Sequence, residues 1–423
     1  MHQMAKVGIG DIRFFIPALK IDLEQIIRKR SINDEILHGR LVRALETTGQ
    51  RFIRFPESFE DPVTMGAESV SQLLKKNPSI NIQNVRYLTT ATETSLDYSK
   101  PTAAYIQGVL QSAGIAVPER LSTFQIQHAC AAGTVGILSL AALLLASPDP
   151  NETGLVVCTD IARYSSGTSA EITQGSGAVS ILLEKNPKLL ELDIGIQGYS
   201  SKDVDDFFRP LGSITARVQS KHSLRCYNDS LTDAFNDYCK RKSASPQQVL
   251  EKTDYIILHT PFKTMPYKPM KRLVNEIMGF DDTRAEKYLV DRGIYVSTDP
   301  ISNIGNTYTG SLFIALSFLL EREYKRIGDT IVGKKILLAS YGSGNTMIIL
   351  SGTVSKDACS IIKNWDLDSM INSGVTATFE QYDQWCSSDY QCLPSADTVI
   401  PGNRFYLANI RGDGYREYKF SGK

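Results

Sequence analysis

Residues 130–144 read CAAGTVGILSLAALL, and residues 306–320 read NTYTGSLFIALSFLL. Each opens with a small or polar residue, passes through Gly-containing turns and continues as an apolar helix. Both helices, expected at roughly 132–146 and 309–323, are apolar nearly all round, which suits burial between two layers rather than on one surface. The segments around them also follow the same order. In the first half a strand ends at Glu93. The Cys130 turn and its helix follow, then a strand to Asp160 and a strand after Gly175-Ser176-Gly177. In the second half a strand ends at His259. Asn306 and its helix follow, then a strand to Tyr341 and a strand after Gly342-Ser343-Gly344. An order repeated on this scale indicates an internal duplication.

Other β-rich runs fit the same frame: VRYLTTATE (85–93), TFQIQHAC (123–130), GLVVCTD (154–160), AVSILLE (178–184), DYIILHT (254–260), KKILLASYG (334–342) and TMIILSG (346–352). Strands alternating with helices predict an α/β fold built from two halves, 1–186 and 187–423. The more polar stretch 187–250, which holds DDFFRP (205–210), reads as a link between the halves that carries a lid. Residues after about 355 read as an extension wrapped on the second half.

The composition narrows the function. Lys plus Arg equals Asp plus Glu at 46 each, so no basic excess points to nucleic acid or an anionic membrane. The first residues lack a signal-peptide pattern, and the apolar run 135–146 is short for a bilayer span, so a cytoplasmic enzyme is expected. The cysteines are Cys130, Cys158, Cys226, Cys239, Cys359, Cys386 and Cys392. Their number is odd and there is no CxxC pair, which argues against a disulfide framework and a structural zinc site.

If the halves pack about a pseudo-twofold axis, Glu93, Cys130, His259 and Asn306 converge, because ligands in α/β sheets bind beyond the carboxyl ends of strands. Cys130 reads either as a small buried filler or as a nucleophile whose pKa the following helix lowers. Glu93 is either an exposed loop residue or a buried proton-transfer group with a raised pKa. His259 is a structural residue, a donor to a carbonyl or a proton carrier. Asn306 is a helix N-cap, a role compatible with positioning a substrate. The SYGSG turn (340–344) offers backbone N–H groups for an oxyanion hole together with that of Cys130. Lys263 and Lys268 are phosphate partners or solvated charges. His128 is on the same strand face as Cys130 and reads as a buried residue bonded to backbone.

These residues resemble the thiolase superfamily, and more closely the bacterial 3-hydroxy-3-methylglutaryl-CoA synthases. The resemblance rests on ATETSLDYSK, HACAAGT, CTDIARYSSGT, TQGSGAVSILLEKNP, DDFFRP, HTPF, GNTYTGS, SYGSG and FYLANIRGDGYREY, which appear in the family's order along nearly the whole chain. It implies a thiolase-like five-layered αβαβα fold, and acetyl transfer from acetyl-CoA to Cys130. Glu93 would act as acid and base, and His259 would bind the carbonyl of acetoacetyl-CoA. It further implies substrate-side roles for Asn306, Ser343, Tyr164, Asp97, Asp160 and Asp206. A homodimer is implied, and neither a metal nor a redox cofactor. The sequence departs from the family at Ala131, where a Tyr is usual, and at His128, where a Glu is usual. It also lacks an Asp-Gly near VQSKHSLRCY, and Lys263 stands one place early. The alternatives are a relative that builds β-branches on acyl-carrier-protein thioesters, an initiating β-ketoacyl-carrier-protein synthase, and a scaffold without turnover. Ala131 also raises the expectation of a pocket open to longer acyl groups.

Overall fold

A computed structural model describes residues 6–388, 393–394 and 398–422; Cys392 lies outside them. Ten strands form one sheet. Its order is Tyr255–Leu258, Lys335–Gly342, Thr346–Val354, Leu190–Leu192, Val7–Phe15, Gly175–Lys185, Thr153–Ala162, Val85–Ala91 and Ser122–Ile126, with Gly198–Ser201 also paired to Thr346–Val354. Every strand expected from the sequence is present. Thr153–Ala162 runs parallel to Val85–Ala91 and antiparallel to Gly175–Lys185. Lys335–Gly342 repeats the pattern with Tyr255–Leu258 and Thr346–Val354.

Alternation along the strands explains the layers. Val156 and Cys158 face one core, while Leu155 and Val157 face another. Ile336 and Leu338 join the first of these cores, while Leu337 and Ala339 face a third. The shared core holds the helices Ala132–Ala146 and Ser311–Ile327 between the two halves of the sheet. The helices Pro62–Lys76 and Thr102–Ser112 cover the outer face of the first half. Ser220–Arg241 and Tyr267–Met278 cover the outer face of the second. This is the αβαβα succession of the thiolase-like fold. The two central helices meet closely at their starts: a Cβ at Gly133 would lie 2.6 Å from the Thr309 carbonyl oxygen. Ala129–Ala146 is long and apolar enough for a membrane span by composition alone, but half of it is buried within the protein.

Three features differ from the sequence reading. The strand Val7–Phe15, central in the sheet and wholly buried, escaped it because Gly8, Gly10, Asp11 and Arg13 interrupt its apolar pattern. Asp11 and Arg13 pair with each other at 3.2 Å, and Trp365 Nε1 donates to Asp11 at 3.1 Å. The second central helix starts at Ser311, close to the expected 309, but its cap position is Gly310 rather than Asn306, after a short 3-10 turn at Tyr308–Gly310. Finally, the C-terminal extension wraps chiefly on the first half. Val375–Thr376 pairs with Leu19 and Lys20. Tyr382 and Trp385, from the helix Phe379–Ser387, pack with Phe55 and Ile172. The hairpin Phe405–Ile410/Arg416–Phe420 seats Phe405 among Val63 and Ala67. Tyr418 Oη donates to Asp61 at 2.7 Å. The aromatic residues of the tail announce burial, but nothing in their spacing names the surface that receives them.

Arg54 ties the tail down. It is 1% exposed, and its guanidinium donates to the carbonyls of Pro17 (3.1 Å), Ala18 (3.2 Å), Ile371 (2.6 Å) and Ser373. Burial without a carboxylate partner pushes its pKa down to about 10. A Cβ at Gly374, where φ is 130°, would lie 2.2 Å from Arg54 Nη1. Arg54→Ala leaves the Pro17, Ile371 and Ser373 carbonyls without this donor, while Ala18 O keeps Val375 N, and is expected to cost about 3 kcal/mol or more, at 1–3 per stranded group. Urea unfolding measures this; a loss under about 1 kcal/mol would mean the tail is held by its apolar contacts alone.

Candidate active site

Cys130 stands between the edge strand Ser122–Ile126 and the helix that begins at Ala132. The turn is tight: Ala131 N donates to His128 O at 3.1 Å, and Ala132 N to Ala129 O at 3.2 Å. Ala129 has φ 42°, a left-handed conformation unusual for a residue with a Cβ. The second half touches this turn through Gly342, where a Cβ would lie 2.5 Å from His128 O and 2.9 Å from Ala131 N. Only glycine permits that approach, which brings the Gly342-Ser343-Gly344 turn beside Cys130. Ala131 is fully buried against Gly342, so its small side chain serves this contact rather than a wider acyl pocket. His128 is exposed, contrary to the buried residue expected.

The Cys130 thiol donates to Glu93 Oε1 at 3.1 Å. Glu93 follows the strand Val85–Ala91, in a loop anchored on Asp160. Asp160 Oδ1 accepts from Thr92 Oγ1 (2.8 Å), Glu93 N (2.9 Å) and Thr94 Oγ1 (2.8 Å). Its Oδ2 accepts from Thr309 N (3.2 Å) and Oγ1 (2.5 Å), in the second half. Burial and then the Asp160 charge push Glu93 up to about 8, against the pull of Arg209 and of the thiol's hydrogen bond. Cys130 is also pushed well up, first by burial and then by Glu93. The thiol is therefore not acidified as the sequence reading expected, because desolvation and the three carboxylates of Glu93, Asp160 and Asp206 outweigh the helix dipole.

Tyr164, Phe207 and Tyr308 wall the site, with ring centroids 5.9–6.4 Å apart, and Cys130 packs against this cluster. Asn306 Nδ2 approaches Tyr164 Oη at 3.5 Å, while its Oδ1 accepts from Tyr308 N at 2.8 Å. The amide thus caps the local turn and reaches the tyrosine at once. His259 is 3% exposed and ends the strand beside Lys335–Gly342. Its N–H donates to Ala339 O at 2.7 Å, and its carbonyl accepts from Tyr227 Oη at 3.1 Å. Burial lowers its pKa to about 3, so near neutral pH the imidazole is uncharged.

The remaining residues named from the sequence lie in supporting positions. Asp206 accepts from Gly344 N (2.9 Å), Tyr341 Oη (2.8 Å) and Ser223 Oγ (3.0 Å), and so fixes the turn that carries Ser343. Asp97 caps its own loop, accepting from Ser99 N and Lys100 N at 2.7 and 2.8 Å. Protein donors thus reach Asp97, Asp160 and Asp206 alike. Lys263 pairs with Asp299 at 2.8 Å, and Lys268 is exposed. Among the described residues, no group of three or more His, Cys, Asp or Glu could hold a metal. Sequence reasoning missed Tyr308, Phe207 and Arg209. Tyr308 sits in GNTYTGS with φ 46°, and the other two sit in DDFFRP, so the signal lay inside motifs read only as motifs.

The raised Glu93 pKa has a consequence for stability. The folded chain holds this proton up to about 8, whereas an unfolded glutamic acid loses it near 4.5. Between those values the folded state binds more protons, so stability falls as pH rises through the window. Glu93→Gln removes this fall. Its melting temperature relative to the unsubstituted protein should rise by roughly 5 °C between pH 4.5 and about pH 9. Scanning calorimetry giving the same difference at both pH values would exclude a raised pKa.

Family models describing the hydroxymethylglutaryl-coenzyme A synthase N terminus and C terminus match residues 3–188, and 190–300 with 284–420. The hydroxymethylglutaryl-CoA synthase of Haloferax volcanii is 29% identical over 417 residues, covering 90% of this chain and 91% of that one. That of Enterococcus faecalis is 30% identical over 348 residues, covering 82% of each. The solved structure of MvaS in complex with 3-hydroxy-3-methylglutaryl coenzyme A superposes with a TM-score of 0.87 at 28% identity, over 99% of both chains. With both models matched in order along one thiolase-like chain, the protein belongs to the hydroxymethylglutaryl-CoA synthase family.

Proposed function

We propose that the chain condenses acetyl-CoA with acetoacetyl-CoA and water, giving 3-hydroxy-3-methylglutaryl-CoA and CoA for the mevalonate route to isoprenoids. The observation that carries this is the 3.1 Å contact of the Cys130 thiol with a carboxylate whose pKa lies at about 8. An initiating Cys-His-Asn synthase has no use for a carboxylate there, whereas enolate formation at a cysteine-bound acetyl group needs one.

In this reading the Glu93 carboxylate takes the thiol proton as sulfur attacks acetyl-CoA. The thioester bond to CoA breaks, and CoA leaves with that proton. Glu93 then removes a proton from the methyl group of acetyl-Cys130. The enolate oxygen meets the backbone N–H groups of Cys130 and of the Ser343 turn, as preorganised donors. The enolate carbon attacks C3 of acetoacetyl-CoA, whose carbonyl accepts a hydrogen bond from neutral His259, with Asn306 and Tyr164 beside it. Glu93 returns its proton to the new alkoxide. Water then cleaves the bond to Cys130, freeing the carboxylate of the product. No resident metal or redox cofactor takes part in these steps.

We further infer that the chain divides at about residue 186, that it works in the cytoplasm, and that it is a homodimer. The cysteines placed by the structure are free thiols, as suits a reducing compartment. Among the described residues, the strand Ser122–Ile126 ends the sheet with one edge unpaired, and Phe124 and Ile126 are half-buried. Leu143 and Leu145 of the neighbouring helix are exposed. An open strand edge flanked by leucines calls for a covering partner, and a second copy supplies a matching edge. Leu143→Glu combined with Leu145→Glu should give a monomer in sedimentation; an unchanged dimer would place the interface elsewhere.

Mass spectrometry after brief incubation with acetyl-CoA tests the activity. An acetyl group should appear on Cys130, be absent in Cys130→Ser, and be discharged by acetoacetyl-CoA to the six-carbon product. Glu93→Gln, which lacks the base that takes the thiol proton, should acquire the acetyl group more slowly and condense it about 100-fold more slowly or worse. Loading by acetyl-carrier protein alone would transfer the protein to the β-branching class, and loading by neither donor would leave the scaffold reading.

A further inference from the structure

The loop 163–174 is held from behind by buried hydrogen bonds that end in the C-terminal tail. Tyr164 N donates to Gln174 Oε1 at 2.7 Å, and Gln174 Nε2 donates to Tyr382 Oη at 2.7 Å. Tyr382 Oη donates onward to Glu171 Oε1 at 3.2 Å. Glu171 also accepts from Arg30 Nε at 3.0 Å and Gly167 N at 2.5 Å, and Arg30 pairs with Asp383 beside Tyr382. Gln174, Glu171 and Tyr382 are all at most 1% exposed. With both ends of its amide engaged, Gln174 has one allowed orientation: carbonyl to the backbone of Tyr164, nitrogen to the phenol of Tyr382.

The same short stretch sets Asn306. Asn306 N donates to Thr173 O at 3.1 Å. A Cβ at Gly305 would lie 1.8 Å from Gln174 O, and one at Gly175 would lie 2.7 Å from Asn306 N. Residues 173–175 therefore fix the backbones of both Tyr164 and Asn306, whose side chains meet in the site. The Cys130 turn, the Glu93 loop and the Asp160 bonds use none of these contacts.

We propose that Tyr382, acting through Gln174, is a positioning residue for the acceptor side of the site, where Tyr164 and Asn306 receive the β-ketoacyl thioester, and that it is not needed to load Cys130. The inference rests on the function proposed above. It assigns the C-terminal helix Phe379–Ser387 a part in substrate recognition, although the helix itself lines none of the reacting groups. Loss of the phenol strands Gln174 Nε2; Cys386 Sγ, 3.9 Å from the same nitrogen, is a weak acceptor and no equal replacement.

The test compares Tyr382→Phe with Glu380→Gln, a change on the same helix at an exposed residue that pairs with Lys29 on the surface. Two quantities are read: the rate of acetyl-Cys130 formation from acetyl-CoA alone, and KM for acetoacetyl-CoA in full turnover. In Tyr382→Phe, acetylation should stay within about twofold of the unsubstituted protein while KM for acetoacetyl-CoA rises roughly tenfold, as for loss of a residue that orients a ligand-contacting group. In a Tyr164→Phe background the same change should raise KM less than about twofold, because the phenol then has less to position. If Tyr382→Phe does not fold, Gln174→Met carries the same expectation. A KM equal to that of Glu380→Gln, or equal losses in acetylation and condensation, would overturn the positioning role. Absence of acetyl-Cys130 in the unsubstituted protein would instead overturn the proposed function, and this inference with it.

Discussion

The site depends on one buried carboxylate. Asp160 has no exposed surface and accepts hydrogen bonds from both halves of the chain: from the Thr92-Glu93-Thr94 loop on one oxygen, and from Thr309 on the other. A carboxylate in such a place is costly unless donors surround it. Here the donors are the two loops that must be brought together. They do not fully offset burial, and the pKa of Asp160 stays raised. The same charge then acts on its neighbour, because it is the second cause of the raised Glu93 pKa. Structural support and acid–base tuning thus come from a single group.

Electrostatics inside this frame favour neutral partners. The thiol is pushed up, Glu93 sits near 8, and His259 is uncharged. A neutral thiol beside a carboxylate that readily takes a proton needs no ion pair in a dry pocket, where isolated charges are expensive. A neutral imidazole can polarise a carbonyl without competing for the proton that Glu93 moves. The aromatic wall of Tyr164, Phe207 and Tyr308 keeps the surroundings apolar and so preserves these shifts.

The C-terminal tail belongs to the same design, although it starts beyond the last strand of the sheet. Arg54 clamps it to the first half through carbonyls alone, and Tyr382 carries its position into the loop of Tyr164. Fixing a loop of the site from a distant part of the chain fits the need to hold reacting groups within fractions of an ångström.

Periodicity and order determined the α/β class and the duplicated halves, while the five-layered thiolase-like form came from the resemblance of the motifs. The paired apolar helices, the strand runs and their repetition survive into the structure because most are local apolar patterns buried in the layers, and local patterns are written in consecutive residues. Cys130, Glu93, His259 and Asn306 were also legible, since each stands where an apolar segment stops. What the sequence did not determine is how those ends face one another. The thiol's raised pKa depends on a carboxylate 37 positions away in the chain. The protein donors on Asp206 and Asp160, and Asp299 beside Lys263, were likewise invisible in the sequence. The strand Val7–Phe15 was hidden by polar residues whose partners, Asn77 and Trp365, are remote in sequence. The surface that receives the tail was equally hidden. Desolvation and hydrogen-bond partnership are properties of neighbours in space, so only the tertiary structure could decide them.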